Sequence, residues 1–411
     1  MKEKIRLGVV GCGSFVQNFI PLFKLHPYVQ WVAVTDLIKD RQHDTAKKHE
    51  LTREYDCFED MLKDDKINAI AIFTQRQLHG PLAIAALKAG KNVYSAVPMG
   101  IKVEEIAEIV ELVKKTHLTY SMGETGYYRP CSIFCREKMR SNEMGDFVYG
   151  EAQYHHDMRH FYQSFKRSEG EDWKKVAGMP PMYYPTHSTA MILSSVESYA
   201  VRVTGFGYRD HHEDECFGTG KNYWDNPFSN MTMVLQLANG GTARLNENRR
   251  IGWYGPQSYI SSLYGTKASY EYSVGQHSYV TLPDQKAVYH NVNDLLNPKV
   301  LEEARGQESF MNDIVNLKWN TEAPIQNLDR IPGSLAPVHN GHDGTHKFMV
   351  DDFCKAAYTG KLSPTNAWVA ARFNIPGLMS FDSALKDGET LKVVDLGDAP
   401  KDWEIIDPYK D

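Results

Sequence analysis

No stretch of this chain approaches the roughly 20 consecutive apolar residues that a membrane-spanning helix needs, so no span is expected. Basic residues do precede an apolar run at the N-terminus, MKEKIRLGVVGCG, yet that run lasts only about six residues before its glycines, short of a signal-peptide core. Cysteine is scarce. Cys12, Cys57, Cys131, Cys135, Cys216 and Cys354 fall at no zinc spacing and are too few for a disulfide scaffold, which fits a reducing, cytoplasmic location. Positive charge is not in excess either: 46 basic against 52 acidic residues give a net charge of −6. That balance argues against a nucleic-acid or anionic-membrane surface. Internal repeats and low-complexity tracts are also lacking. What remains is small-molecule chemistry in a chain of 411 residues, long enough for two domains, with 42% hydrophobic residues to fill their cores.

The most informative stretch is Leu7-Gly8-Val9-Val10-Gly11-Cys12-Gly13-Ser14-Phe15. An apolar run over residues 5–10, paired glycines, then Phe15, Val16, Phe19, Ile20 and Phe23 at helical spacing predict strand, tight turn and helix. This is the form of a phosphate cradle. Gly11 permits the turn, Gly13 lets backbone approach a pyrophosphate, and the N–H groups opening the helix supply donors. The third glycine position of G-x-G-x-x-G is Val16, so the motif alone also fits an ordinary strand-to-helix turn. A second apolar strand, residues 29–35, ends in Asp36, where an acidic side chain can bond a ribose 2′-OH and repel a 2′-phosphate. NAD is therefore favoured over NADP, although Lys39 and Arg41 lie close by.

Up to about residue 125, strands and helices alternate: helices over 40–50, 58–62, 81–89 and 103–115, and strands over 67–73, 92–95 and 118–122. Fully apolar strands in such alternation predict a doubly wound parallel sheet, a Rossmann domain at 1–126. After Pro130 the texture changes. A helix over 131–140 precedes strands at 146–155, 199–207, 231–237, 242–246, 259–264 and 268–272, several joined by Gly-rich turns such as Asn239-Gly240-Gly241. This predicts an α+β domain at 127–411 with a mostly antiparallel, open sheet, a helix at 184–194 beside it, and helices at 346–358 and 367–384. The stretch 291–339, rich in Asn, Pro and charge, is expected to be a surface excursion. Glu124 follows the last parallel strand, at the carboxyl edge where ligands collect. A carboxylate there suits proton transfer; a surface glutamate in a loop is the plain alternative.

The glycine turn, Asp36, the segment Phe73-Thr74-Gln75-Arg76-Gln77-Leu78-His79, the phrase Gly90-Lys91-Asn92-Val93 and Tyr264-Gly265-Thr266-Lys267 together resemble the Gfo/Idh/MocA family of nicotinamide-dependent sugar enzymes. In that family the phrase after Val93 continues to Glu-Lys-Pro, whose lysine sits near nicotinamide and substrate hydroxyl. Here it reads Ala96-Val97-Pro98, and valine can neither give nor take a proton. The motifs Tyr184-Pro185-Thr186-His187, Tyr154-His155-His156-Asp157-Met158-Arg159 and Gly123-Glu124-Thr125-Gly126-Tyr127 are similar to those of the family's NAD-dependent glycoside hydrolases, typified by bacterial α-N-acetylgalactosaminidase, which also lack the lysine.

That resemblance implies a redox-neutral hydrolysis: hydride leaves C3 of the sugar for NAD, the resulting ketone acidifies the C2 hydrogen, the aglycone is expelled from C1, water adds, and hydride returns. Such chemistry needs bases for the 3-OH and the C2 hydrogen, help for the leaving oxygen and a tightly held cofactor. It implies His187, Tyr184 and Glu124 as catalytic groups and Gly11, Gly13, Ser14, Phe15, Asp36, Thr74, His79, Val97, Pro98 and Thr125 around NAD. Thr125 stands where relatives carry an Asn. Tyr154, Arg159, Tyr127 and His342 are implied to meet a small glycoside. His187 titrates near neutrality as a type, whereas Tyr184 would need a depressed pKa to act as base and otherwise orients the sugar. The hydrolases bring one further tyrosine from before Gly265, for which Tyr254 and Tyr259 both qualify, Gln257 occupying the expected place.

No metal is expected: the pairs His155/His156 and His211/His212 alternate across a strand and do not chelate easily. The phrase Gly341-His342-Asp343-Gly344-Thr345-His346 suits a loop closing on a ligand, with His342 and His346 lining it or merely entering a helix. Trp173, Tyr183, Trp253 and Tyr254 suit stacking on sugar rings or a core. Partners are thus a small glycoside and further copies of the chain, a dimer or tetramer through an open sheet face. Competing functions are a net sugar dehydrogenase or keto-sugar reductase, and an NAD-binding sensor or scaffold without activity.

Overall fold

The computed structural model describes residues 3–212, 215–252, 259–273, 276–298, 321–338 and 340–410. Strand β1 (Ile5–Val10) leads through the glycine turn to α1 (Ile20–Leu25), β2 (Val29–Thr35), α2 (Lys39–Lys48), α3 (Phe58–Lys63), β3 (Ala69–Ile72), α4 (His79–Lys88), β4 (Asn92–Ala96), α5 (Val103–Thr116) and β5 (Tyr120–Gly123). All neighbouring pairs are parallel, in the order β2-β1-β3-β4-β5. The strands are apolar on both faces because helices cover both; Leu7, Val9, Ile70, Ile72 and Val93 have no exposed surface. Helix α5 shows how the cover works. Ile106, Ile109, Val110 and Val113 form its buried stripe, with Glu104 and Glu105 in the first turn and Lys114 and Lys115 in the last, complementing the helix dipole. In this strand order the sheet reverses direction of travel between β1 and β3, so the crevice that collects ligands opens at the ends of those two strands.

The second half carries α6 (Pro130–Arg140), β6 (Phe147–His155), α7 (Tyr162–Glu169), α8 (Trp173–Ala177), α9 (Thr186–Val196), β7 (Ala200–Arg209), β8 (Phe228–Leu237), β9 (Thr242–Asn248), β10 (Tyr259–Gly265), β11 (Ala268–Ser273), β12 (Gln276–Thr281), β13 (Val288–Asn291), α10 (Asn293–Leu296), α11 (Thr345–Thr359), α12 (Ala367–Leu385) and β14 (Leu391–Lys392). Among the described residues its nine strands run β13-β12-β11-β10-β6-β9-β8-β7-β14. Every pair is antiparallel except β6 with β9. Alternation sets the faces: Met231, Met233, Leu235 and Leu237 of β8 are buried against helices, while Val234 and Phe206 lie exposed on the other side.

Three features depart from the sequence expectations. Helices α7 and α8 and strands β12 and β13 were not anticipated, because their short polar segments show no clean period. The expected excursion at 291–339 is partly anchored: Ile331 and Leu335 are buried, and Arg330 pairs with Asp351 and Asp352 of α11. Lastly, α11 returns to the first sheet, setting Phe353 edge-on to Phe23 and Tyr94 and stacking His346 on Phe19 at 4.2 Å. No helix among the described residues is long and apolar enough to cross a membrane.

Candidate active site

Gly11 sits at φ +96°, and a Cβ there would lie 2.5 Å from the Phe73 carbonyl oxygen, so the turn requires glycine. At Gly13 a Cβ would meet nothing within 4 Å, leaving open space on the side where a pyrophosphate approaches backbone. The expected single helix after the turn is instead a 3₁₀ turn, Phe15–Asn18, followed by α1 with Pro21 in its first turn. From Gly13 and Ser14 a cleft of about 330 Å³ runs past Ile38 and Arg41. Asp36, just after β2, lies buried behind Arg41 of that lining. One carboxylate oxygen accepts the Cys12 N–H at 2.6 Å, the other the Ile38 N–H at 2.8 Å, and Arg41 donates to both. Space, turn and acceptor fit a dinucleotide.

At the ends of β3 and β4, His79 is buried with Nε2 3.0 Å from the Thr74 carbonyl and Nδ1 2.9 Å from that of Pro98. It joins the two loops that flank the crevice, and burial lowers its pKa. Val97 is buried beside them, and Met99 just beyond donates its N–H to Asn374 Oδ1 of α12 at 2.7 Å.

The centre of the site is a buried carboxylate–histidine pair. Glu124 follows β5, accepts the Gly126 N–H at 2.6 Å, and with the same oxygen meets His187 Nδ1 at 2.7 Å; the two residues are 0% and 3% exposed. A carboxylate there accepts Nδ1–H, which leaves Nε2 with its lone pair. Among the described residues none bonds Nε2. Thr125 Oγ1 lies 3.5 Å from Nδ1. Three tyrosines surround the ring edge-on, with centroids at 4.8 Å for Tyr154, 5.0 Å for Tyr184 and 5.2 Å for Tyr259. Tyr154 and Tyr259 face each other across paired strands β6 and β10. Helix α9 opens at Thr186, with Pro185 as its cap, so Tyr184 precedes it. The helix expected from Tyr184 therefore starts two residues later, and no shared helical face joins Tyr184 to His187. The chain's approach to the cap brings their rings together. Burial pushes all three phenols above their ordinary pKa, which keeps them as O–H donors.

His342 stands between the two halves of the crevice. Its ring centroid is 5.7 Å from Phe15 of the glycine turn and 6.5 Å from His187, and Nδ1 meets His346 Nε2 at 2.9 Å. His342 and Asp343 both sit at φ +55°, a strained loop of the sort found at binding sites. Burial lowers both histidines, His346 to about 3, so the pair is neutral near pH 7.

Other expected residues fall elsewhere or at the margin. Tyr127 is buried with Arg136 stacked on its ring at 4.1 Å, on the side of Tyr409. Arg159 forks onto Asp157 and is half exposed. Trp173 packs on Tyr162 and Tyr183 on Phe381; His155 bonds Gln153 and Asn248, and His156 bonds the Tyr154 hydroxyl. Trp253, Tyr254, Gln257 and His339 lie outside the described residues.

Sequence reasoning assigned no role to three further arginines. Arg129 lies 3.4 Å over the Tyr259 ring and bonds Asp343 at 2.8 Å. Arg249 lies over Tyr154 and bonds Glu247 at 2.8 Å, while Glu247 also accepts from Ser188. Arg76, just after β3, lies 4.3 Å over Tyr184. The parallel pairing of β6 with β9 explains Arg249: both strands end at this edge, a fact no local pattern reveals.

Residues 5–124 match the model of the Gfo/Idh/MocA group, described as an oxidoreductase family with an NAD-binding Rossmann fold. Among curated relatives, a glycosyl hydrolase family 109 protein of Saccharopolyspora erythraea is 24% identical over 293 residues, covering 66% of this chain and 63% of the relative. Another of that name from Streptomyces filamentosus is 25% identical over 296 residues, 66% of this chain and 58% of the relative. The matched stretch thus spans about 60% of these relatives' length. Among solved structures, levoglucosan dehydrogenase in complex with NADH superposes with a TM-score of 0.68 at 14% identity, covering 95% of this chain and 100% of that one, a likeness of fold. Residues 5–124 thus carry the NAD-binding Rossmann fold of the Gfo/Idh/MocA oxidoreductases, which gives NAD as the cofactor, and the chain resembles the family 109 proteins beyond it.

Proposed function

We propose that the protein is an NAD-dependent glycosidase that hydrolyses a small glycoside without net oxidation. The observation that carries this is the buried Glu124–His187 pair facing three tyrosines, with Val97 where a proton-transferring lysine would stand. The relatives' family 109 name supports it. Gly11, Gly13, Ser14 and Phe15 would hold the cofactor's phosphates, and Asp36 would accept a ribose hydroxyl in place of Arg41, the one side-chain donor on that carboxylate among the described residues. Thr74, Val97, Pro98 and Thr125 would line its reactive end, with His79 fixing the two loops. When bound, NAD supplies a hydride acceptor that later returns the hydride, so a sugar carbon is oxidised and restored within one turnover.

His187 Nε2 takes the proton of the hydroxyl on that carbon and gives it back. Glu124 fixes the tautomer and offsets the charge on the imidazolium. Tyr184 and Tyr259, kept as phenols by burial, donate to sugar oxygens rather than act as bases. His342 closes the pocket opposite. A net dehydrogenase uses the same pair, and the two differ in the fate of NADH.

The test is a panel of 4-nitrophenyl glycosides, N-acetylgalactosaminide included, with NAD well below the substrate concentration. Many turnovers of 4-nitrophenol per NAD without NADH accumulation are expected. Free sugars driving stoichiometric NADH formation, with no aglycone released from any glycoside, would overturn the glycosidase in favour of the dehydrogenase.

A further inference from the structure

Four arginines of the second half of the chain, two of them stacked on tyrosines of the cluster, have acids. Arg249 bonds Glu247, Arg129 bonds Asp343 and Arg250 bonds Asp210, each at 2.8 Å, and Arg159 bonds Asp157 at 2.7 Å. Arg76 differs. In the turn Arg76–Leu78 at the carboxyl end of β3, its guanidinium lies 4.3 Å over the Tyr184 ring, and its one hydrogen bond among the described residues runs to the thioether of Met158 at 4.0 Å. A guanidinium carries five N–H donors. One sulfur and one π-face leave most of them without a protein partner among the described residues, and none of these unpartnered nitrogens is sealed from the crevice, so they are open to a ligand. The nearby acid, Glu247, is committed to Arg249 and Ser188. Arg249, 5.6 Å from the same Tyr184 ring, adds like charge. Burial and that neighbour both lower the Arg76 pKa, the direction of a cation lacking its counter-ion.

Building on the glycosidase reading, we propose that Arg76 is a specificity residue for an oxyanion on the sugar, a carboxylate or sulfate, so that the substrate class is anionic glycosides. The planar fork matches such groups bidentately, and stacking on Tyr184 pre-organises it. Its surroundings, Tyr184 and Met158, belong to the half of the chain that carries His187. The glycine turn, by contrast, offers backbone N–H groups to the cofactor's phosphates.

Binding of free sugars to NAD-loaded protein, followed by calorimetry, separates this proposal from the glycosidase reading because no hydrolysis is needed. The probes are glucuronate, galacturonate and glucose 6-sulfate, set against glucose and galactose. At least one anionic probe is expected to bind more tightly than its neutral counterpart. Arg76→Gln is expected to cut that preference by about 10–100-fold, the scale of a lost charge-assisted bond. Arg76→Lys, which keeps charge without the fork, should retain part of it, and the NAD dissociation constant should hold in both variants. The proposal fails if every anionic probe binds no better than the neutral sugars, or if Arg76→Gln leaves the preference intact. It also fails if that variant weakens NAD instead, which would assign the cation to the cofactor's pyrophosphate. Anion binding that depends on Arg76, with no glycoside ever cleaved, would sustain this inference and sink the glycosidase.

Discussion

His187→Ala is expected to lower turnover by about 10²–10⁴-fold, the usual worth of a positioned general base, while the protein still binds NAD. The ring contacts Glu124, Thr125 and the three tyrosines, and none of its hydrogen bonds reaches the glycine turn or Asp36. Cofactor affinity, read from quenching of tryptophan fluorescence, should therefore match the wild type. Stability should fall as well. Glu124 is fully buried, and without the imidazole it keeps only the Gly126 N–H, a loss of about 1–3 kcal/mol. Thermal melts of the variant, and of His187→Gln with its smaller cavity, distinguish lost chemistry from lost fold. A folded, NAD-binding His187→Ala with full activity would remove His187 from the mechanism.

Glu124→Gln comes next in size. The oxygen that meets His187 Nδ1 also accepts the Gly126 N–H, so a glutamine keeps its amide oxygen at that spot and preserves the tautomer. What it loses is the negative charge that offsets an imidazolium. A charge-assisted bond is worth about 1.5–3 kcal/mol, or about 10–100-fold in kcat, less than losing the ring itself. A positioning role predicts a fall in kcat with KM nearly unchanged, because the charge matters only once the proton has moved. Equal changes in both constants, or none, would contradict it.

The parts of the molecule legible in the sequence are those specified locally. The β1 turn was readable because Gly11 and Gly13 interrupt an apolar strand, and their φ angle and open space are properties of the glycines themselves. Helices α5, α6 and α12 carry enough apolar residues at helical spacing to announce themselves, and Tyr184-Pro185-Thr186-His187 marks a helix start within two residues. The neighbours that complete the site are another matter. Arg129 meets Asp343 and His187 meets Glu124 across separations of 214 and 63 residues, which only tertiary packing sets. Arg76 and Arg249 look like surface charges until the sheets place both over Tyr184. Likewise Ile331 and Leu335, buried inside a polar stretch, have too few apolar companions to show a period. Tyr259 was one of two candidates, and the described structure sets it beside His187.

The central claim is that a sugar is oxidised while His187 holds its hydroxyl proton, gives a proton from the adjacent carbon to solvent as the aglycone is expelled, and is restored when water adds and the hydride returns. The most direct measurement is nuclear magnetic resonance of the sugar released from a cleaved glycoside in D₂O, with NADH followed in the same sample. Deuterium at C2 of the product with no net NADH is the expected result. A product that keeps its original hydrogen at C2, or NADH rising in step with sugar consumed, would contradict the account.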